Sequence, residues 1–333
     1  MMKIKNAWIV FAVTLLITLP LRLYQICFLS EEGTGFYTDG IRTTAMISFV
    51  LAVGAALMLI MSAMDRRSRA PYSPIRSIPA AVFGILTGVG VIVGCVISLF
   101  GIESLQSQLA YTALTVLGVF AAIVLILAGS NFAAGKNTFE KQPLLALVPS
   151  VWGCACLVAM FIRFVAVVNV AENIYDTFTV IFILLFLFHQ AKLLARIDDE
   201  KSGKMIYMFG IPAALMALLT GITGTVEQII HVTRQGLFPS GFYPANILFA
   251  LYILFFLAAV SKNSVVRVSA DIQEFARDPA QTAESGTEEG ETEEENAEPI
   301  QESCLEYLTR TYGSDICFFN HTSSPFLKRI EKS

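Results

Sequence analysis

The sequence predicts an all-α polytopic membrane protein with a bundle of eight transmembrane helices. Two observations lead to this fold class. The 333-residue chain has a mean hydropathy of +0.64 and only 15% charged residues, whereas soluble domains carry about 25%. The apolar residues also form long blocks of roughly the 20 residues that a helix needs to cross the hydrocarbon core. Backbone groups inside a bilayer must be paired within their own segment, so these blocks are predicted to be helices.

Eight apolar segments separated by short loops are predicted to span the membrane. Their approximate limits are 7–29, 42–64, 78–101, 108–130, 144–169, 174–196, 205–231 and 242–261. Lys3 and Lys5 precede the first segment, as basic residues precede the apolar part of a signal peptide. However, the sequence "ICFLSEEG" is not a small-residue cleavage site. The first segment is therefore predicted to be an uncleaved span.

The distribution of basic residues predicts the orientation of the bundle. With the N-terminus inside the cell, the inner segments hold fourteen Lys and Arg residues and the outer segments hold two. This bias predicts cytoplasmic N- and C-termini in the cell (cytoplasmic) membrane. Trp8, Tyr37, Tyr175 and Tyr243 are predicted to anchor span ends at the interfaces. The basic inner loops suit anionic lipid headgroups, so the predicted partners are membrane lipids, with no nucleic acid.

An internal repeat is the strongest organisational signal in the chain. The third span begins "IPAAVFGILTGV" at Ile78, and the seventh begins "IPAALMALLTGI" at Ile211. The two stretches share Ile-Pro-Ala-Ala and Leu-Thr-Gly at a constant shift of 133 residues. Proline in a first helical turn is favourable by itself, but that does not explain the shared Leu-Thr-Gly. We therefore predict a 4+4 parallel pseudo-repeat, of the kind that some transporters use.

The predicted domain organisation follows from the repeat and from a change of composition after Ser261. The bundle occupies 1–262, with repeat halves at about 1–135 and 136–262. Residues 263–301 are predicted to be a disordered acidic linker, because such a composition cannot bury enough apolar surface to fold. Residues 302–333 are predicted to be a cytoplasmic tail that either forms a short docking helix for a protein partner or is a mobile terminus.

Small residues predict the packing of the third span. Gly84, Gly88, Gly90 and Gly94 form two Gly-x-x-x-Gly pairs, and small residues four apart let helices approach closely in lipid. We interpret these glycines as packing residues. They also predict that the third and seventh spans are central helices of the bundle.

Motifs that carry chemistry are missing from the sequence. It has no HExxH, no Cys-x-x-Cys pair, no phosphate-binding GxxxxGK[ST] and no G-x-S-x-G. His189 and His231 lie at opposite ends of their spans, which does not suit two axial ligands of one haem. No cofactor or metal is predicted. Cys95, Cys154 and Cys156 are interpreted as small core residues.

Charged residues inside the spans provide the candidate site. Arg22 lies about seven residues before the outer end of the first span, and Arg163 about six before the outer end of the fifth. Glu227 and His231 are four residues apart on the seventh span and share one face. If the first, fifth and seventh spans adjoin, all four residues meet in the outer half of the bundle. The sequence therefore predicts an outer-facing, net-basic polar pocket for an anionic or carboxylate-bearing solute.

Simpler interpretations of these charges stay open at this point. Each arginine is about 10 Å from the interface, so it could extend to the lipid headgroups or pair with Glu227 as a structural contact. The outer acidic residues could bind a divalent cation, although we interpret them as solvated loop residues. They are Glu31, Glu32, Asp39, Glu172 and Asp176.

Three functional classes are compatible with this sequence. The intramembrane charges and the repeat favour a transporter or solute-binding membrane protein. The alternative is a non-catalytic sensor or scaffold that acts through its acidic cytoplasmic tail. The third is a lipid-modifying membrane enzyme based on His231 and Glu227, which the missing motifs disfavour.

Overall fold

The structure is a computed structural model, and it describes eight stretches of the chain. These stretches are 3–29, 37–39, 42–64, 76–100, 105–164, 170–197, 199–230 and 242–263. The predicted acidic linker and tail, after residue 263, lie outside the described residues. Their predicted disorder and docking helix therefore stay predictions.

Eight α-helices make up most of the described chain. They are α1 Lys3–Phe28, α2 Arg42–Ala63, α3 Ile78–Phe100, α4 Leu105–Ala134, α5 Pro143–Phe164, α6 Val170–Leu194, α7 Asp199–Ile229 and α8 Phe242–Asn263. A 3-10 turn, Thr138–Glu140, joins α4 to α5. All eight α-helices are long and apolar enough to cross a membrane. The predicted all-α fold with eight candidate spans is confirmed.

Six of the helices form a closed ring, and the other two pack on its outside. Helices α3 to α8 each pack against the next helix in the chain, and α3 also packs against α8. Aromatic side chains of α8 contact aromatic rings on α4, α5 and α6. Phe186 on α6 contacts Phe256 on α8 at 5.7 Å between ring centroids, and Phe132 on α4 contacts the same ring at 5.4 Å. Helices α1 and α2 pack against each other and against α7.

Helix α7 is the central helix of this arrangement, because it packs against α1, α2, α6 and α8. In its most apolar stretch, 72% of the residues are buried, against 44% in α3. Helix α3 packs mainly against α4 and α8, and one side of it is exposed. The prediction of a central position is therefore right for α7 and wrong for α3. Apolar side chains lose little by facing lipid, so a helix this apolar is stable at the periphery.

Two glycines of α3, Gly84 and Gly88, lie where the backbone of α4 comes close. A Cβ atom built on Gly84 would lie 3.2 Å from the Cα atom of Gly129, on α4. One built on Gly88 would lie 2.8 Å from the carbonyl oxygen of Ala122, also on α4. The contact at Gly88 is closer than real Cβ atoms approach, so a larger residue there requires a shift of the neighbouring atoms, and the contact at Gly84 is tighter than most.

Two sequence-based predictions need correction. One concerns the N-terminal limit of the seventh helix, and the other concerns the burial of a cysteine. Pro212 lies inside α7, which begins at Asp199, and not in a first turn as Pro79 does in α3. The seventh helix is therefore longer at its N-terminal end than its predicted limit of about 205. Cys154 is exposed on the surface of the bundle, so only Cys95 and Cys156 fit the interpretation as core residues.

Candidate functional site

Arg22 is buried inside the protein, at the end of the bundle where α1 ends and α2 and α6 begin. Its side chain is only 3% exposed, which excludes the interpretation that it extends to the lipid headgroups. The buried side of α1 carries a residue every three or four positions, including Thr14, Thr18, Arg22 and Gln25. This spacing places all four on one helix face. Arg22 therefore points toward the neighbouring helices because it continues the stripe by which α1 packs.

A chain of hydrogen bonds fixes the position of the guanidinium. Arg22 Nη1 donates to Gln25 Oε1 at 2.7 Å, and Gln25 Nε2 donates to Thr44 Oγ1 at 2.7 Å. Gln25 is completely buried. The amide thus connects the arginine on α1 to the first turn of α2. Hydrogen bonds to a charged group in a dry environment are stronger than those between neutral groups. These hydrogen bonds therefore hold the side chains of Arg22 and Gln25 in place.

Two tyrosine rings complete the surroundings of Arg22. The guanidinium carbon lies 5.2 Å from the ring centre of Tyr175, on α6, and 5.6 Å from that of Tyr37, in the segment between α1 and α2. Both distances are within the range of a cation–π interaction. The Tyr175 hydroxyl also lies 2.6 Å from Ser48 Oγ, on α2. We call Arg22, Gln25, Tyr37, Thr44, Ser48 and Tyr175 the Arg22 cluster.

Burial corrects the predicted interfacial role of one of these tyrosines, Tyr175. Tyr175 is 6% exposed and stacks on a cation inside the protein, so it does not anchor α6 in the lipid interface. Tyr37 is half-buried over the same cation. Tyr243 is half-buried too, and its hydroxyl donates to Asp176 Oδ2 at 3.5 Å. An aromatic residue near a helix end can face lipid or a buried charge, and the sequence alone does not distinguish the two.

Asp176 is a buried acid, although its sequence position predicts a solvated loop residue. It lies inside α6 and is only 4% exposed, so that interpretation is wrong. On the same stretch, Thr179 lies 3.3 Å from Thr220 on α7, measured between their hydroxyl oxygens. The sequence "NIYDTFT", residues 173–179, contained the signal, since polar residues at helical spacing fall just inside an apolar span.

The structure describes some of the four predicted site residues fully and others only in part or not at all. Arg22 is buried as described above, and Glu227 lies half-buried in the last turn of α7. Arg163 lies in the last turn of α5, but its side chain and all of His231 are outside what the structure describes. Helix α1 adjoins α7 as predicted, whereas α5 packs mainly against α4 and α6. The meeting of all four residues in one pocket therefore stays a prediction.

Among the described residues, no three His, Cys, Asp or Glu side chains come together in a way that could hold a metal ion. The sensor and enzyme alternatives depend on residues 264–333 and on His231, which the structure does not describe, so they too stay predictions.

The fold defines the class of protein at this point. Eight apolar helices around a central α7 have the architecture of an integral membrane protein. Comparison with protein-family models, with curated proteins and with solved structures found no match to this chain.

Proposed function

We propose that this protein is a transporter or solute-binding membrane protein that takes an anionic or carboxylate-bearing solute at the Arg22 cluster. The observation that carries the proposal is the buried guanidinium of Arg22, held by Gln25 and enclosed by Tyr37 and Tyr175. An arginine inside a bilayer is unfavourable by about 2.5–3.5 kcal/mol on insertion scales. Intramembrane charges that face the protein interior therefore mark binding sites and ion pathways more often than simple packing.

The arrangement around Arg22 suits recognition of a carboxylate. A guanidinium carries five N–H donors in a planar fork that matches the two oxygens of a carboxylate. The bond to Gln25 holds this fork in place. Two aromatic rings restrict its movement further. Positioning of this kind reduces the conformational entropy that would be lost when a solute binds.

The location of the cluster supports a site that opens to the outside. If the basic residues set the topology as predicted, the ends of α1 and α7 and the starts of α2, α6 and α8 face outward. The opposite end carries the ion pair between Arg196 and Glu140, whose charged atoms are 3.3 Å apart. The proposed orientation thus places that exposed ion pair and the basic loops on the cytoplasmic side.

The 4+4 repeat is part of the same proposal, because parallel repeats are one design of membrane transporters. Its support is the similar way in which the two Leu-Thr-Gly segments pack. Gly88 on α3 contacts α4, the next helix in the chain, and Gly221 on α7 contacts α8, the next helix there. A transporter that evolved by duplication would keep such local pairs and change the other neighbours.

The proposal is tested by replacing the arginines and measuring stabilisation by anions. Arg22→Gln, Arg163→Gln and the double variant would be purified and heated with a panel of inorganic anions and small carboxylates. We expect at least one anion to stabilise the unsubstituted protein, by about 2.7 kcal/mol at 100 times its Kd. Arg22→Gln should lose most of this effect.

Arg42→Gln is the matched control, because Arg42 begins α2 at the same end of the bundle and is exposed. It should respond to anions as the unsubstituted protein does. The proposal is wrong if no anion stabilises the unsubstituted protein, or if Arg22→Gln responds as strongly as the control.

A further inference from the structure

The 3-10 turn between α4 and α5 holds one buried side chain among exposed neighbours. Phe139 is only 1% exposed, whereas Thr138, Glu140 and Lys141 are exposed. One aromatic ring thus inserts into the bundle while the rest of the turn stays outside. It inserts at the end where α4 and α6 end and α5 begins, which is opposite to the Arg22 cluster.

Behind Phe139 lies a small cavity between α4, α5 and α6. Its volume is about 10 Å³, which is room for about one water molecule. Phe139 lines the cavity from the turn, Pro149 lines it from α5, and Ala191 lines it from α6. Among the described residues, Gln190 supplies the one polar side chain of the lining.

Gln190 carries a hydrogen-bond acceptor that the packed ring does not use. Its Nε2 donates to the Tyr252 hydroxyl on α8, but its Oε1 is buried and has no partner within the described part of the chain. A single water molecule in this apolar cavity would not find the about three hydrogen bonds of a typical buried water. Gln190 Oε1 is therefore well solvated only when the cavity opens to bulk water.

Two polar contacts fasten the turn, one on each side of Phe139. Asn137 Nδ2 donates to the carbonyl oxygen of Leu194 at 2.7 Å, and Glu140 Oε1 lies 3.3 Å from Arg196 Nη1. Both contacts reach the end of α6. The ion pair is partly exposed, and exposed ion pairs contribute little to stability. Water can thus replace these contacts at a low cost in free energy.

We propose that the turn Thr138–Glu140 is a movable closure at this end of the six-helix ring, with Phe139 as its plug. When the turn moves away, water enters the cavity and reaches Gln190. Burial of the aromatic ring favours the closed state, and hydration of the buried amide oxygen favours the open state. This closure goes beyond the proposed function and does not depend on it, because it involves no solute and lies at the opposite end of the bundle.

The test measures how fast a water-soluble reagent reaches the cavity. Ala191 is buried and lines the cavity, so Ala191→Cys places a thiol there. The full-length protein in lipid nanodiscs is treated with iodoacetamide, and peptide mass spectrometry follows labelling at position 191. The same protein in denaturant gives the rate of an accessible thiol. Buried Cys95 on α3 is an internal reference for a thiol elsewhere in the ring.

Three variants of the turn are combined with Ala191→Cys. Phe139→Ala removes the plug and should accelerate labelling at least about tenfold. Asn137→Ala removes a hydrogen bond and should accelerate it by about two- to tenfold. Glu140→Gln removes the ion pair and should have a smaller effect, of less than about fivefold. High salt should accelerate labelling while Glu140 is present and not in Glu140→Gln, because salt screens exposed charges.

Phe256→Ala is the matched control. Phe256 is fully buried in the ring, on α8, and its removal opens a space of the same size without touching the turn. This variant should label as slowly as the parent that carries Ala191→Cys alone. Labelling of Cys95 should stay slow in the turn variants and in the control.

The proposal is wrong if Phe139→Ala labels no faster than Phe256→Ala, or if the parent labels as fast as the unfolded protein. Asn137→Ala and Glu140→Gln keep the plug, so their acceleration shows that the turn moves as a unit. If neither of them accelerates labelling, Phe139 is a fixed packing residue and the proposal is also wrong. These two variants decide the matter if Phe139→Ala is not recovered as a monodisperse protein.

Discussion

Helices α3 and α7 have the same sequence motif and different surroundings. Leu86 on α3 is 42% exposed, and its counterpart Leu219 on α7 is 1% exposed. The first residues of the motifs differ even more, since Ile78 is 66% exposed and Ile211 is fully buried. Large apolar side chains at equivalent positions therefore face the exterior in one helix and the protein in the other.

The small residues of the two motifs behave alike. Thr87 and Thr220 are both buried, and each hydroxyl donates to the carbonyl oxygen four residues earlier in its own helix. A Cβ atom on Gly221 would lie 2.9 Å from the backbone nitrogen of Ile247, on α8, much as Gly88 meets the backbone of α4. At Gly88 and Gly221 the motif thus packs against the following helix, whereas the Thr220 hydroxyl faces Thr179 on α6.

The other faces differ because of which helices lie nearby. Helices α1, α2 and α6 all pack against α7, and large apolar residues there are enclosed by protein. In lipid there is little hydrophobic driving force between helices, since the acyl chains are as apolar as leucine. An apolar helix face is consequently stable against lipid and against protein. Its sequence does not reveal which of the two it contacts.

The largest expected effect comes from one pair of substitutions at these equivalent positions. Leu219→Ala should destabilise the protein by about 2–5 kcal/mol, because it leaves a cavity among packed helices. Leu86→Ala should have a much smaller effect, since lipid chains can fill the space. The apparent Tm of both variants in lipid nanodiscs measures the difference. Equal losses would show that α3 is as closely covered as α7, for example by a second copy of the protein.

An intermediate effect is expected where α1 and α2 cover α7. Gln25→Leu removes the amide that connects Arg22 to Thr44, and it should cost about 1–3 kcal/mol because buried polar groups lose their partner. The double variant Arg22→Leu with Gln25→Leu replaces both partners, so it should destabilise the protein less than Gln25→Leu alone. Thermal unfolding of the two variants compares them. If the single variant is as stable as the unsubstituted protein, the hydrogen-bond chain does not hold the α1–α2 pair in place.

The smallest effect concerns the contact between α1 and α2 themselves. A Cβ atom on Gly54 would lie 2.6 Å from Thr14 Oγ1, so Gly54→Ala should overpack the contact and cost about 1 kcal/mol. Thr14→Ala removes the obstructing atoms and should restore part of the loss in the double variant. A double-mutant cycle of apparent Tm values measures this coupling. Additive losses would mean that the two helices do not approach so closely.

The candidate site was predictable to the extent that it depends on single unusual residues. Arg22 stands out because a guanidinium inside an apolar span is rare and unfavourable. Asp176 was missed because it lies near a span end, where an acid is usually solvated. Tyr175 was assigned to the interface for the same reason. Position along a span indicates the depth of a residue, but it does not indicate which side of the helix faces protein.

The sequence by itself determined the number of spans, their approximate limits and the all-α class, because the length of an apolar block and the need to pair backbone groups in lipid are local properties. Only the tertiary structure decided that α7 is central while α3 is peripheral, that Arg22 is buried against Tyr175, and that Asp176 is buried. The physical reason is that lipid and protein interior are both apolar. The side of a helix that is buried therefore depends on its neighbours, which come from distant parts of the chain.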